Sequence, residues 1–312
     1  MSIPDAKVIV NPVAGNFSAL NKWPWIDKKL RDIGLKYTYE FTEEKGHAIE
    51  LAKTAIDNGC QYLIAVGGDG TISEVTNGII NSNNAHNVIL GIINAGTMCA
   101  FSRSAGIHPD INNSVPILTG HGRRMIDVGA VDYINNGQSL RRIFINHAEV
   151  GFGADVIKAQ DRMDKYFTSS IISPILKYIP RVIGGFQALT RYRNKRISVI
   201  LENETEVPNS LMVVVANGCY IGGNMLIAPQ AKIDDGLLDV ITAGNIGKIE
   251  IWKLWRKTYS GKHIMNPKIR MNTTPNVRIQ SSVQVFVEAD GEFLGECPAS
   301  FWVLPSALTI VV

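Results

Sequence analysis

Leu63-Ile64-Ala65-Val66-Gly67-Gly68-Asp69-Gly70-Thr71-Ile72-Ser73-Glu74-Val75 is the stretch from which the rest of the chain is read. An apolar run of strand length meets three glycines and an acid. Apolar residues then return at Ile72, Val75, Ile79 and Ile80, a helical spacing. The pattern predicts strand, glycine loop, helix, and such a loop suits phosphate. Gly67, Gly68 and Gly70 lack a Cβ, which lets the backbone take positive φ and approach a ligand. The helix that follows points free N–H groups and the positive end of its dipole at whatever sits there. Asp69 would repel a bare triphosphate, so it calls for a metal, a hydrogen-bonded ribose or a transferred proton nearby. The alternative is a plain turn in which Asp69 caps Thr71 or Ile72.

Working outward, residues 7–10 form a β-branched run that stops at Asn11-Pro12-Val13-Ala14-Gly15-Asn16, a strand followed by a turn. Pro24 suits a first helical position and Gly34 a helix end, with Trp25, Ile26, Leu30 and Ile33 as the buried stripe. Residues 36–41 read as a second strand ending at Thr42. Ala48, Ile49, Ala52, Ala55 and Ile56 give a helix closed by Asn58-Gly59. Residues 88–93 form a fourth strand leading to Asn94-Ala95-Gly96-Thr97. Strands alternating with helices predict parallel βαβ units, and ligands of such sheets gather beyond the carboxyl ends of the strands. Those ends carry Gly15, Thr42, Gly68 and Gly96, so their convergence points to a nucleotide pocket.

The chain has 312 residues, 46% hydrophobic and 19% charged, which predicts a folded soluble protein of two domains. A net charge of +3 without a dominant basic run excludes nucleic acid as the expected partner. Cys60, Cys99, Cys219 and Cys297 lie far apart, the pattern of reduced cytoplasmic thiols, and none of the six histidines shows a metal-ligand or triad spacing. Neither a signal peptide nor an apolar stretch of roughly 18–20 residues is present, so any action on lipid is expected from the membrane surface.

From about Arg124 the texture becomes short and β-rich, over residues 125–131, 142–146, 197–201, 211–216, 237–241, 277–279 and 283–288. Asn136-Gly137, Asn217-Gly218 and Asp235-Gly236 punctuate it, predicting a mostly antiparallel sandwich or distorted barrel beyond residue 128. Residues 166–186 are apolar but interrupted by Pro174, Lys177, Pro180 and Arg181, and they lead into the basic run 191–196. That combination suits either an anionic membrane surface or a packed helix with a solvated basic loop.

Taken in order, Asn11-Pro12 with Gly15, Gly67-Gly68-Asp69-Gly70-Thr71, Gly96-Thr97 with Phe101 and Arg103, Asn217-Gly218 with Gly222-Gly223, Asp235-Gly236-Leu237-Leu238-Asp239, and Asp290-Gly291-Glu292 resemble the diacylglycerol kinase and sphingosine kinase family, in its soluble bacterial branch. The resemblance covers nearly the whole chain. It implies an N-terminal Rossmann-like parallel α/β domain (1–128, with 302–312 returning to it), a C-terminal mostly antiparallel β-sandwich domain (129–301) and a nucleotide cleft between them. It further implies an ATP-dependent lipid kinase that uses Mg²⁺. Nucleotide contacts carry over to Asn11, Pro12, Val13, Ala14 and Gly15, to Thr42, to Gly67, Gly68, Asp69, Gly70, Thr71, Ile72, Ser73 and Glu74, and to Gly96 and Thr97. Glu292 takes the place of the proton acceptor with Asp290 as its acidic neighbour, and a structural magnesium falls to Asp235 with backbone oxygens of Lys232 and Leu237.

An alcohol is a weak nucleophile, so a carboxylate that takes its proton is chemically required; Glu292 or Asp69 could serve. Asp290-Gly291-Glu292 also reads as a simple hairpin turn. The chain departs from the family pattern at Asn94, Cys99 and Ala100, where proline, asparagine and an acid are usual. The acyl surface is expected near Phe152, residues 166–186 and Tyr220, at the inner membrane face. A regulatory nucleotide- or lipid-binding protein and a soluble NAD-kinase-like small-molecule kinase remain as alternatives. The lipid's identity, and whether the chain is a homodimer, stay open.

Overall fold

Four runs rich in β-branched residues open the chain as parallel strands. The computed structural model describes residues 4–96, 98–167, 178–202 and 204–312. It contains β1 (Ala6–Val10), β2 (Tyr37–Phe41), β3 (Tyr62–Gly67) and β4 (Ile89–Asn94), hydrogen-bonded in the order β2-β1-β3-β4. Helices α1 (Ala14–Asp32), α2 (His47–Asp57) and α3 (Asp69–Ile80) make the crossovers. All of β3 is buried, as a central parallel strand covered on both faces must be.

The first helix differs from the sequence expectation. Pro24 lies inside α1 rather than at its start, and Trp23, not Trp25, joins Ala19, Ile26 and Leu30 on the buried face, leaving Trp25 exposed. Gly15, Asn16 and Phe17 have left-handed φ/ψ, so regular helix begins after them and Pro24 falls in its second turn. The buried positions 19, 23, 26 and 30 keep the i, i+4, i+7, i+11 register that a single stripe requires.

Short α4 (Ala100–Ser104) and α5 (Ile111–Ile117) lead to β5 (Arg123–Asn135) and β6 (Gln138–Phe144), a hairpin turned at Asn136-Gly137 with φ of 50° and 78°. Both residues sit at positive φ, the two-residue turn whose twist matches its flanking strands. β7 (His147–Gly151) follows, then α6 (Phe152–Phe167), α7 (Tyr178–Arg191) and, after several strands, α8 (Lys248–Thr258). Strand Met212–Ala216 pairs antiparallel with β7 and with Leu238–Ala243, and Phe286–Ala289 pairs antiparallel with β7 and with the last strand. Val131, Phe144, Val150, Val215, Val287 and Phe301 fill this sandwich, with Phe144 and Phe301 edge to face at 6.4 Å. The last strand, Glu292–Val311, runs antiparallel along β5, and its end pairs in parallel with β4 through Thr309 and Ile310. One sheet therefore continues from the parallel half into the antiparallel half.

Residues 142–146, read as one strand, are broken at Ile145-Asn146, because their N–H groups go to a side chain, Asp290, instead of a neighbouring strand. Likewise the strand expected from residue 283 begins at Phe286, leaving Val283 exposed. Of the apolar stretch 166–186, residues 168–177 lie outside the described residues; α6 and α7 flank it and pack together, with Gly184 against the backbone of Ala159. The basic run is partly structural: Tyr192 is buried, its hydroxyl donating to Leu211 O, and Lys195 Nζ donates to Gln284 O at 3.0 Å. Among the described residues no helix is long and apolar enough to cross a membrane.

Candidate active site

The three glycine turns meet at the carboxyl ends of β1, β3 and β4. A Cβ on Gly96 would sit 2.4 Å from Gly68 Cα, and one on Gly15, at φ +61°, would sit 2.5 Å from Ala95 O. The absence of side chains at these points lets the turns touch. Gly67, Gly68 and Gly70 are not among the glycines at positive φ, contrary to expectation; Gly68 is extended at φ −105°, and what Gly67 and Gly68 supply is close approach. Asn11 Nδ2 donates to Thr71 Oγ1 at 3.0 Å while its Oδ1 accepts from Val13 N at 3.1 Å, tying the first turn to the second. Thr42 N donates to Val10 O at 2.9 Å, and Glu74 accepts from Gly46 N at 3.0 Å, bringing the loop after β2 to the same end. Thr97 lies outside the described residues.

Beside these turns is a cleft of about 320 Å³ lined by Lys22, Trp25, Asn94, Met98, Cys99 and Arg103 among others. Asn94 Oδ1 accepts from Ser102 Oγ at 2.7 Å, but its buried Nδ2 makes no hydrogen bond. Cys99 is buried at φ +51°, and Ala100 contributes its backbone N–H to Asp69. Two cations, an orphaned amide donor and bare glycine backbone fit a polyphosphate nucleotide chemically.

Asp69 neither caps its own helix nor stands free. Its oxygens accept from Ala100 N at 3.0 Å and Phe101 N at 2.9 Å, holding the loop after β4. Burial pushes its carboxyl above the usual range, those two hydrogen bonds oppose the shift, and the nearby charge of Asp290 adds to it. Asp290 is a second anchor. It occupies the positive-φ position of the hairpin before the last strand and accepts from Ile145 N, Asn146 N and His147 N at 2.8, 3.0 and 3.1 Å, and from the Ser73 hydroxyl. Its pKa too is raised by burial and opposed by these bonds. Asn217-Gly218 grips the same bend from the other side, both N–H groups donating to Asn146 O.

Glu292, two residues beyond Asp290, has the opposite surroundings. Arg142 reaches one carboxylate oxygen at 2.5 Å and Lys45 the other at 3.0 Å, and the carboxylate is partly exposed. Neither cation was singled out from sequence, since Lys45 follows two acids in a turn and Arg142 lies in a strand without an acid beside it, and only the folded chain brings them to Glu292.

At the Asp235 turn, Asp235 Oδ1 accepts from Leu237 N at 3.1 Å, and Asp127 holds the turn by accepting from Gly236 N at 2.6 Å. Lys232 and Asp235 are exposed. Asp239, close by and buried, has an Oδ1 with no hydrogen bond; burial and then the Asp235 charge push its pKa up to about 6. An orphaned carboxylate oxygen beside a second carboxylate fits a hard cation such as Mg²⁺.

One histidine does join acids, against the sequence expectation. His147 and Glu149 on β7 and Glu288 on the paired strand Phe286–Ala289 bring their donor atoms within 4.8 Å of one another, all buried. Burial lowers the His147 pKa to about 4 and raises both carboxyls, Glu288 additionally through Glu149. The available signal was polar residues at alternate positions of a strand otherwise made for the core.

Residues 5–131 match the diacylglycerol kinase catalytic domain, and residues 148–312 match the YegS C-terminal NAD kinase beta sandwich-like domain. Proteins named diacylglycerol kinase from Staphylococcus haemolyticus and Staphylococcus saprophyticus are each 28% identical to the chain, over 95% of its length and over 84% and 91% of theirs. A solved diacylglycerol kinase structure from Bacillus anthracis is 21% identical, covers 98% of this chain and 96% of that one, and superposes with a TM-score of 0.70, a likeness of fold.

Asp290→Ala strands three buried N–H groups, so it is expected to lower unfolding stability by on the order of 3 kcal/mol or more. Glu292→Gln, which weakens a partly exposed pair of ion contacts, should change it by less than about 1 kcal/mol. Urea unfolding of both variants checks the contrast; equal losses would contradict a backbone-anchoring Asp290 beside a Glu292 held by side chains.

Proposed function

The chain belongs to the diacylglycerol kinase family of lipid kinases, and from that premise we propose that it transfers the γ-phosphoryl group of ATP to the hydroxyl of a diacylglycerol-like lipid, with Mg²⁺. The observation that carries the reading is the placement of a partly exposed carboxylate, Glu292, two residues beyond the anchored Asp290 and paired with Lys45 on the loop that Glu74 of α3 holds through Gly46 N.

In this reading the turns at Asn11 to Gly15, Gly67 to Glu74 and Gly96-Thr97 hold the nucleotide through backbone N–H groups, with Lys22 and Arg103 available to its phosphates. Asp69 keeps the loop after β4 in place by holding two of its N–H groups. Asp290 fixes the hairpin that presents Glu292 and, through Ser73, attaches it to α3. Arg142, largely buried, orients Glu292, while Lys45, whose side chain is 65% exposed, is the replaceable partner. When the acceptor hydroxyl displaces Lys45, Glu292 receives its proton as the oxygen bonds to the γ-phosphorus and the bond to ADP breaks. Asp235, Asp239 and backbone oxygens of Lys232 and Leu237 would hold a structural Mg²⁺, and nucleotide-bound Mg²⁺ supplies charge neutralisation at the phosphates.

The names of the Staphylococcus relatives support diacylglycerol as the acceptor class. Action at the inner membrane face would follow from pairing ATP, a cytoplasmic donor, with an acceptor that resides in the bilayer.

The test is transfer of γ-labelled phosphate from ATP to a total lipid extract. Wild type should label a lipid that comigrates with phosphatidic acid. Glu292→Gln should lower kcat by about 10²–10⁴-fold while keeping the thermal shift induced by ATP. A wild type that is stabilised by ATP but labels no lipid would overturn the proposal.

A further inference from the structure

We infer that His147, Glu149 and Glu288 form a binding site for one divalent transition-metal ion, distinct from the Asp235 turn. His147 and Glu149 are two residues apart on β7 and project from one face, and Glu149 lies opposite Glu288 across the antiparallel pair. His147 Nε2 is 3.5 Å from Glu288 Oε1, a separation that two donors can have on one ion with bonds of about 2.0–2.2 Å. That Oε1 is buried and makes no hydrogen bond, while Oε2 accepts from Gly291 N at 2.8 Å. Gly153 is shaped to the cluster: a Cβ there would fall 1.4 Å from Glu149 Oε2, so the carboxylate fills the space of the missing side chain.

Two neighbouring carboxylates buried with an unpartnered oxygen are unfavourable alone, and a cation removes that cost. One imidazole with two carboxylates suits Zn²⁺ or Mn²⁺ better than Mg²⁺, which prefers an oxygen octahedron. The ion would also stiffen the catalytic hairpin, since Glu288 holds Gly291 N and His147 O accepts from Asp290 N at 2.9 Å.

The test is to strip the protein with a chelator, add Zn²⁺ or Mn²⁺ with Mg²⁺ as comparison, and measure bound metal and thermal midpoint. One retained equivalent and a raised midpoint are expected. Glu149→Gln and His147→Gln should weaken binding by at least about tenfold. No retained ion in wild type, or unchanged binding in Glu149→Gln, overturns the site. Should the variants fail to fold, anomalous scattering from wild-type crystals soaked in Zn²⁺ decides by whether the ion lies among the three side chains. These readouts are independent of turnover.

A separate observation concerns α8, and we propose that it docks the protein on an anionic lipid bilayer. The proposal rests on the lipid kinase reading for the identity of the surface. Ile249, Trp252, Trp255 and Tyr259 recur at helical spacing and are 79%, 53%, 46% and 48% exposed, while Leu254 and Thr258 point inward. The rings stand edge to face at 6.0 and 5.9 Å, and Met265, 79% exposed, lies on the next short helix. Lys253, Arg256 and Lys257 are exposed along the same helix, and its acid Glu250 is paired with Lys268 at 2.6 Å. Tryptophan and lysine arranged in this way lie in the plane of a headgroup region. The stripe ends at the site: Tyr259 adjoins Gly223, whose N–H meets Met98 Sδ at 3.0 Å on the loop after β4.

Cosedimentation with phosphatidylcholine vesicles, with and without phosphatidylglycerol, tests this apart from catalysis. Wild type should bind the anionic vesicles, and Trp252→Ser/Trp255→Ser and Lys253→Glu/Arg256→Glu should each lose about tenfold or more in affinity. Absence of wild-type binding, unchanged binding by the tryptophan variant, or a dimer that this variant dissolves would overturn the proposal, the last by assigning the stripe to a second copy.

Discussion

Asp290 ties the hairpin before the last strand to the bend that leads into β7 and to α3. A single buried carboxylate takes three successive backbone N–H groups from the bend between β6 and β7 and a hydroxyl from α3. Burying a charge without such donors would be prohibitive, and burying three N–H groups without an acceptor nearly as costly. Each therefore requires the other. The same helix reaches the second half again through Asn77, whose amide both donates to Ile143 O at 2.9 Å and accepts from Ile143 N at 3.1 Å, as a strand neighbour would. The helix that begins at the second glycine turn thus also fixes where the hairpin carrying Glu292 stands.

A division of labour among the acids follows from their surroundings. Asp69 accepts two backbone N–H groups and Asp290 three with the Ser73 hydroxyl, so their oxygens hold loops in place. Among the described residues Glu292 is held by the side-chain cations Arg142 and Lys45, the latter on an exposed stem, and its oxygens can exchange partners. Three carboxylates within one small region are tolerable because two are compensated by dipoles and the third by charge.

The parallel half was legible because its signals are local: apolar strands, glycine turns after three of the four, and helical spacing between them. The antiparallel half was legible in texture and not in detail. The bend at Ile145-Asn146 carries no turn residue pattern of its own; it is imposed by an acid some 145 residues later. The α1 register slipped because Pro24 looked like a helix start, whereas the regular helix had already begun directly after the left-handed residues Gly15, Asn16 and Phe17. Asp290-Gly291 is both a hairpin turn and part of the site, so the two sequence readings of that tripeptide were complementary. The cations beside Glu292 and the pairing of Glu288 with the His147 strand were hidden because contacts between segments far apart in the chain leave no spacing to read; the alternation of His147 and Glu149 was the local signal.

The central claim is that the three glycine turns form one nucleotide surface facing the Glu292 hairpin. Hydrogen exchange with and without a non-hydrolysable ATP analogue tests it most directly. Slowed exchange is expected at residues 11–15, 67–74 and 94–101, with little change along α8. Protection confined to other segments, or none at saturating analogue, would contradict it.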